Sequence, residues 1–196
     1  MIKNKKDYKE YLLADKIALN KIKYKRPRFK LDIIWKFQIL LRKCEYYQNC
    51  RKDFIGKIVS KFLKLKFVNL SHKLGFSIPF NVFEKGLSIA HYGNIVVNNN
   101  SKIGINCRIH EGVTIGVTDD AYWGEQGGKA PVIGNNVFIA TGAKIIGNVK
   151  IADGVAIGAN AVVVKDILEP NTTWGGVPAK KISNNGSKKY INVKYE

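Results

Sequence analysis

From residue 103 onward the chain repeats with a period of six. Isoleucine stands at 103, 109 and 115, again at 133, 139, 145, 151 and 157, and Val163 takes the next place. Four residues after most of these comes a small or β-branched side chain: Cys107, Val113, Val137, Ala143, Val149, Val155 and Ala161. Six matches neither the 3.6-residue period of a helix nor the two-residue alternation of a half-buried strand. It matches a solenoid in which each hexapeptide is a short strand plus a turn and three hexapeptides close one triangular coil. The isoleucine points inward and stacks on its counterparts in adjacent coils. The position four further on points inward near a corner, where only compact side chains fit. Turn positions carry Asn106, Asn135, Asn136, Asn148, Asp153, Gly154 and Asn160, residue types that tolerate a left-handed backbone. Each coil buries its apolar face only against its neighbours, so stability is cooperative along the stack.

Two interruptions mark the repeat. Phe83, Ile89 and Ile95 are also six apart, but two residues out of phase with Ile103; Asn98-Asn99-Asn100 is expected to absorb that shift. The polar, Gly-rich stretch TDDAYWGEQGGKAP lies between Ile115 and Ile133. Those isoleucines are 18 residues apart, so the phase survives and residues 117–131 are expected to form an extruded loop. Exposed loops on rigid scaffolds often carry function.

Before Gly75 the periodicity is helical. Helices are expected over 5–22, 32–48 and 53–74, with Asp32 as an N-cap and Pro27 punctuating the first gap. The chain therefore divides into a basic α-helical region (1–75), a solenoid (76–182) and a C-terminal tail (183–196). The net charge of +18 is uneven: residues 1–75 hold 21 Lys/Arg against 6 Asp/Glu, and residues 76–196 hold 12 against 9. That asymmetry points to an acidic glycan or an anionic membrane surface as a neighbour of the helical region. No nucleic-acid-binding motif is present, so nucleic acid is not an expected partner. The N-terminus lacks the apolar core of a signal peptide and no apolar run reaches membrane-spanning length. With three cysteines, Cys44, Cys50 and Cys107, outside any metal-binding spacing, this leads to a cytoplasmic, membrane-peripheral expectation.

The repeats, HEGVTIG (110–116), the interrupting loop, IATGAKIIGNVKIADGVAIGANAVVVKD (139–166) and WGGVPAKKI (174–182) resemble the serine acetyltransferase branch of the hexapeptide-repeat acyltransferases, and within it the short forms associated with surface polysaccharides. The resemblance implies a mainly β chain: a left-handed parallel β-helix with a helical N-terminal region. It also implies a homotrimer, acetyl-CoA as donor and an active site between subunits.

Acetyl transfer from a thioester to an alcohol requires a base for the hydroxyl proton, donors for the oxyanion and a means of aligning both substrates. Histidine suits the base because its ordinary pKa lies near neutrality. His91, in GLSIAHYGNIVV, falls where the family's catalytic histidine stands, and counting from inward Ile89 turns it outward. His110 follows inward Ile109, roughly one coil later, and is taken as a second catalytic group. His72, in the last helix, is read as structural. By resemblance, Gly116, Thr141, Gly142 and Ala159 would line the pantetheine arm, and Lys129, Lys165, Lys180 and Lys181 would meet the CoA phosphates. No metal site is expected, because a three-histidine zinc site needs one more solenoid histidine than is present.

Three departures bear on the acceptor. The acidic residue that orients the family histidine aligns with Phe76. The acidic residue before that histidine is Ala90, and a histidine after the loop is Ala130. A zwitterionic amino acid needs charged partners, whereas a sugar hydroxyl needs fewer and favours aromatic surfaces, which Tyr92, Tyr122 and Trp123 offer. Glu111 remains as a polar group near the acceptor and as an alternative means of setting the His91 tautomer. The expected activity is acetyl-CoA-dependent O-acetylation of a sugar or surface-polysaccharide precursor. The alternatives are serine O-acetylation and a non-catalytic binding solenoid.

Overall fold

The computed structural model describes residues 1–118 and 129–192. It opens with three helices, α1 (Lys5–Ala18), α2 (Ile33–Cys50) and α3 (Phe54–Leu74). Asn4 caps α1 by accepting from the Lys6 and Asp7 amides. The helix stops short of residue 22 because Asn20 adopts a left-handed backbone, with φ of 55°. Asp32 sits at the N-cap of α2, but its side chain accepts no helix amide. Its carboxylate is occupied by Lys21 Nζ at 2.7 Å and by the Arg28 amide and Nε, both at 2.9 Å. Asp53 does cap α3, accepting from the Gly56 amide, and left-handed Gly75 ends it.

The rest is a three-faced solenoid. One face stacks β1 (Phe76–Ser77), β3 (Ile95–Val97), β6 (Thr114–Gly116), β9 (Lys144–Ile146) and β12 (Val162–Val163). The second stacks β4 (Lys102–Ile103), β7 (Val132–Ile133) and β10 (Lys150–Ile151). The third stacks β2 (Ser88–Ile89), β5 (Arg108–Ile109), β8 (Phe138–Ile139), β11 (Ala156–Ile157) and β13 (Thr173–Gly175), and antiparallel β14 (Lys180–Ser183) ends it. The other pairings are parallel. Ile103 lies on Ile133, Ile109 on Ile139 and Ile115 on Ile145. None of the nine six-fold positions from Ile103 to Val163 is more than 3% exposed, and each such side chain stabilises the stack by about 1.5–3 kcal/mol. In the regular coils the partners are 18 apart, as Ile133 with Ile151 and Ile139 with Ile157. Across the interruption the partners are 30 apart on all three faces, so the inserted segment adds twelve residues between β6 and β7.

The phase shift upstream lies elsewhere than at Asn98–Asn100. Ile89 pairs with Ile109, a spacing of 20, but Val97 pairs with Ile115, a spacing of 18. The two extra residues therefore fall between Ile89 and Val97, in the corner that carries His91. Both Ile95 and Val97 are buried, so the six-fold count can be continued through either, and counting through Ile95 displaces the shift.

Helix α2 closes the open end of the solenoid. Gln38, Arg42, Glu45 and Asn49 stand at spacings of four, three and four, a single helical stripe. Gln38 donates to the Leu87 carbonyl and accepts from the Ile89 amide. Arg42 donates to the carbonyls of Phe83 and Glu84, both at 2.8 Å. Glu45 accepts from the Asn81 amide, and Asn49 pairs with the Asn81 side chain. An exposed strand edge is an invitation to aggregate; here polar side chains continue its hydrogen bonding. Arg42 is itself fully buried and ion-paired to Asp15 at 2.8 Å and Glu45 at 3.0 Å. Asp15 in turn accepts from the Gly86 and Leu87 amides. Apolar residues of α2 and α3, among them Phe37 and Phe67, join the solenoid core through Phe76, which Phe37 meets edge-on at 5.0 Å.

Candidate active site

The lengthened corner between β2 and β3 pushes His91 and Tyr92 into the open; Tyr92 is 70% exposed. Gly93 turns the chain back with φ of 141°. A Cβ there would stand 3.0 Å from Glu111 Cβ, so any larger residue would press on the next coil. In that coil β5 runs on into His110 and Glu111, and in the following one β8 runs on into Ala140 and Thr141. The ladder is regular: Ala90 N donates to Ile109 O and His110 N to Ile139 O, both at 3.0 Å. This register sets Glu111 beneath His91 and Thr141 beneath Glu111.

The imidazoles of His91 and His110 lie 5.6 Å apart at 81°. The far side of His110 rests edge-on against Phe138 at 5.1 Å, and Phe138 stacks on Tyr190 at 4.4 Å. Thr141 Oγ1 donates to Glu111 Oε1 at 2.9 Å. Glu111 Oε2 and His110 Nε2 are buried without a hydrogen-bond partner among the described residues. Glu111's own backbone amide, with Thr141 and the two imidazoles, holds its carboxyl below the usual value against the opposing effect of burial. Burial, followed by the charge of Arg108, holds His110 below the usual imidazole value against the pull of Glu111. At neutral pH the corner therefore offers an exposed imidazole, a neutral imidazole and a carboxylate.

The donor atoms of His91, His110 and Glu111 lie within 4.8 Å of one another. A tetrahedral zinc with bonds of about 2.0 Å would bring its ligands to roughly 3.3 Å apart. Within the 4.8 Å outer bound two imidazoles and one carboxylate converge on a single corner.

Beside this corner lies a cavity of about 340 Å³ between the helical region and the third face. The end of α1 and the following turn (Ala18, Lys21), the start of α2 (Asp32, Ile33, Trp35), the strands (Ser88, Arg108) and Asn192 wall it, with His91 and Tyr92 also lining it. Asn192 binds the Ala18 carbonyl at 3.4 Å, so the C-terminal segment forms part of the wall. Sequence reading did not single out Arg108, Trp35 or Asn192. A signal for Arg108 was present: its outward column holds Ser88, Phe138 and Ala156 in the paired strands, and Arg108 is the only charge among these four.

The remaining expected residues are dispersed. Gly142 follows Thr141, with its amide on the Glu111 carbonyl at 2.9 Å, and Ala159 is exposed one coil further on. Gly116 ends β6 opposite Ile146 on the first face. Lys129 is exposed just ahead of β7, and Lys165 and Lys180 are exposed in the last coil. Tyr122 and Trp123 lie outside the described residues. Phe76 is buried in the core and Ala130 is 6% exposed, so neither supplies a polar group here.

Fold and site together define a hexapeptide-repeat solenoid with a histidine–carboxylate cluster at one corner. Residues 130–165 match the family model for bacterial transferase hexapeptide repeats (six repeats). Over 102 residues the chain is 40% identical to the serine acetyltransferase of Staphylococcus aureus, covering 52% of this chain and 46% of the relative; it thus spans about half the length of the curated relatives it matches. The serine acetyltransferase of Brucella abortus superimposes with a TM-score of 0.67 at 26% identity, over 93% of this chain and 72% of that one. Its complex with coenzyme A gives 0.65 at 25%, over 93% and 70%. The soybean enzyme complexed with serine gives 0.66 at 26%, over 90% and 70%. The chain is similar to serine acetyltransferases, its residues 130–165 carry bacterial transferase hexapeptide repeats, and its solenoid is a left-handed parallel β-helix.

Proposed function

We propose that this chain is an acetyl-CoA-dependent O-acetyltransferase of the serine acetyltransferase type, with His91 as general base. The observation that carries this is the position of His91: exposed, lining the cavity, in register above Glu111 and beside His110. His91 takes the acceptor's hydroxyl proton as the oxygen attacks the thioester carbonyl. The tetrahedral intermediate then expels the CoA thiolate, which receives that proton from the imidazolium. Glu111 favours the transient imidazolium. Coenzyme A as the donor product is supported by its complex with the Brucella relative. Gly116, Thr141, Gly142 and Ala159 are the proposed pantetheine contacts, Lys129, Lys165 and Lys180 the phosphate contacts, and a homotrimer the assembly.

For the acceptor, the serine acetyltransferase relatives favour L-serine over the sugar hydroxyl expected from the sequence. The sugar remains a second reading on one observation: Phe76 and Ala130 are buried and Ala90 is apolar, so the acid that would orient His91 and the two polar groups that would grip an amino acid are missing from those places. An acidic glycan or an anionic membrane surface beside the basic helical region belongs to this second reading.

The test is thiol release by the purified chain from acetyl-CoA with L-serine and with neutral hexoses. Turnover is expected to fall by roughly 10²–10⁴-fold in His91→Ala. Undiminished turnover in that variant overturns the mechanism, and absence of turnover with every acceptor favours a binding solenoid.

A further inference from the structure

The cavity between α2 and the third face has an unbalanced charge. Among the described residues Asp32 is its one acid, and that carboxylate is 4% exposed and taken up by Lys21 and Arg28. Arg108 lines the same space and is half-buried, with no hydrogen bond or ion pair from its side chain among the described residues. Burial alone shifts its guanidinium, downward, with no acid opposing the shift. A half-buried cation without a counter-ion is poorly solvated and gains from an anion. Guanidinium presents a planar fork of donors that matches a carboxylate.

Position adds to charge. Arg108 pairs in register with Ser88, three residues before His91, and both Arg108 and His91 line the cavity. Its volume of about 340 Å³ lies at the small end of ligand pockets, roughly 300–1,000 Å³. A phosphate, with close to two charges, would also face Asp32; a carboxylate carries one.

We infer that this cavity is the acceptor pocket, and that Arg108 holds a carboxylate of the acceptor while His91 takes the hydroxyl proton. The inference rests on the acetyltransferase reading for its second clause and on the cavity alone for its first. The acceptor is a hydroxylated carboxylate. An amino acid or a sugar acid supplies that chemistry; a neutral sugar does not. Arg108 also provides a charge that Ala90 and Ala130 do not.

The experiment is calorimetric titration of the full chain with L-serine, L-serinamide, D-glucuronate and D-glucose, run beside thiol release from acetyl-CoA. Binding of L-serine or D-glucuronate, with the matching neutral probe rejected, supports the pocket; which acid binds identifies the source. Arg108→Gln is expected to weaken that binding, and to raise the acceptor KM, by roughly 10- to 100-fold, with Arg108→Lys recovering part of the loss. Equal binding of acid and neutral probes, no binding of any probe, or an unaltered affinity in a folded Arg108→Gln overturns the inference. The wild-type comparison of acid with neutral probe decides the matter even where Arg108→Gln fails to fold. Carboxylate-selective binding without thiol release would leave the pocket standing and overturn the acetyltransferase reading.

Discussion

The Gln38 side chain donates to the Leu87 carbonyl at 2.7 Å and accepts from the Ile89 amide at 3.3 Å. One side-chain amide thus takes the place of a missing strand at the outer edge of the third face, where β2 has no further strand beside it among the described residues. β2 leads within two residues to His91, so helix α2 holds the first coil and, through it, the corner of the candidate site.

Gln38→Leu preserves much of the volume but leaves two buried backbone groups unpaired. The loss is expected to be about 2–6 kcal/mol, since each of the two unsatisfied groups costs roughly 1–3 kcal/mol. Urea unfolding measures the total. Hydrogen exchange locates it, because the Ile89 amide should lose protection more than the Ile139 amide, which lies two coils away. Equal loss at both amides would mean that Gln38 acts only through global stability.

Arg42 makes a harsher case. Its guanidinium is fully buried between Asp15 and Glu45 and also holds two carbonyls of the first coil. Arg42→Met leaves two buried carboxylates without their cation. Breaking a buried pair in this way costs about 3–5 kcal/mol. Adding Asp15→Asn and Glu45→Gln to Arg42→Met should recover part of the loss, because the stranded charges disappear. Denaturant midpoints of the single and triple variants test this, and a triple variant no more stable than the single one would count against it.

The solenoid was legible because every coil places its residues in the same environment, so the six-residue period repeats one physical constraint many times. The capping of its open end was not. Gln38, Arg42, Glu45 and Asn49 sit among charges in a helix whose apolar stripe already accounts for its packing, and polar residues there read as solvent-facing. The corner bearing His91 was legible as a motif, but the phase shift it contains was not, because Ile95 and Val97 are both buried and the count runs through either. The cavity depended on the distance between helix and solenoid, which no periodicity encodes.

Asp32 gives the chain a predictable response to acid. The Arg28 side chain, with Lys21 and the Arg28 amide, holds its carboxyl well below the usual range against the effect of burial. A depressed folded-state pKa contributes stability that is present above the unfolded value of about 3.9 and is lost as pH falls toward the folded value. The stability difference between wild type and Asp32→Asn should therefore be constant above about pH 5 and shrink as pH drops below about 3.9. Thermal midpoints of both proteins between pH 7 and the acid limit of folding check the sign. A gap that widens toward acid would contradict the pairing.

Glu111 separates two roles that its position beneath His91 allows. As an acceptor ligand it would govern KM; as the carboxylate beside the imidazolium it would govern kcat. Its Oε1 is already held by Thr141, while Oε2 lies unpaired beside the histidines, and this geometry favours the second role. Glu111→Gln keeps an oxygen for Thr141 and removes the charge. The expected result is a fall in kcat of roughly 10- to 100-fold, corresponding to about 1.4–2.7 kcal/mol of lost imidazolium stabilisation, with the acceptor KM nearly unchanged. Thr141→Val should follow in the same direction with a smaller loss, because it frees the carboxylate to rotate without neutralising it. A rise in KM with kcat intact would reassign Glu111 to the acceptor.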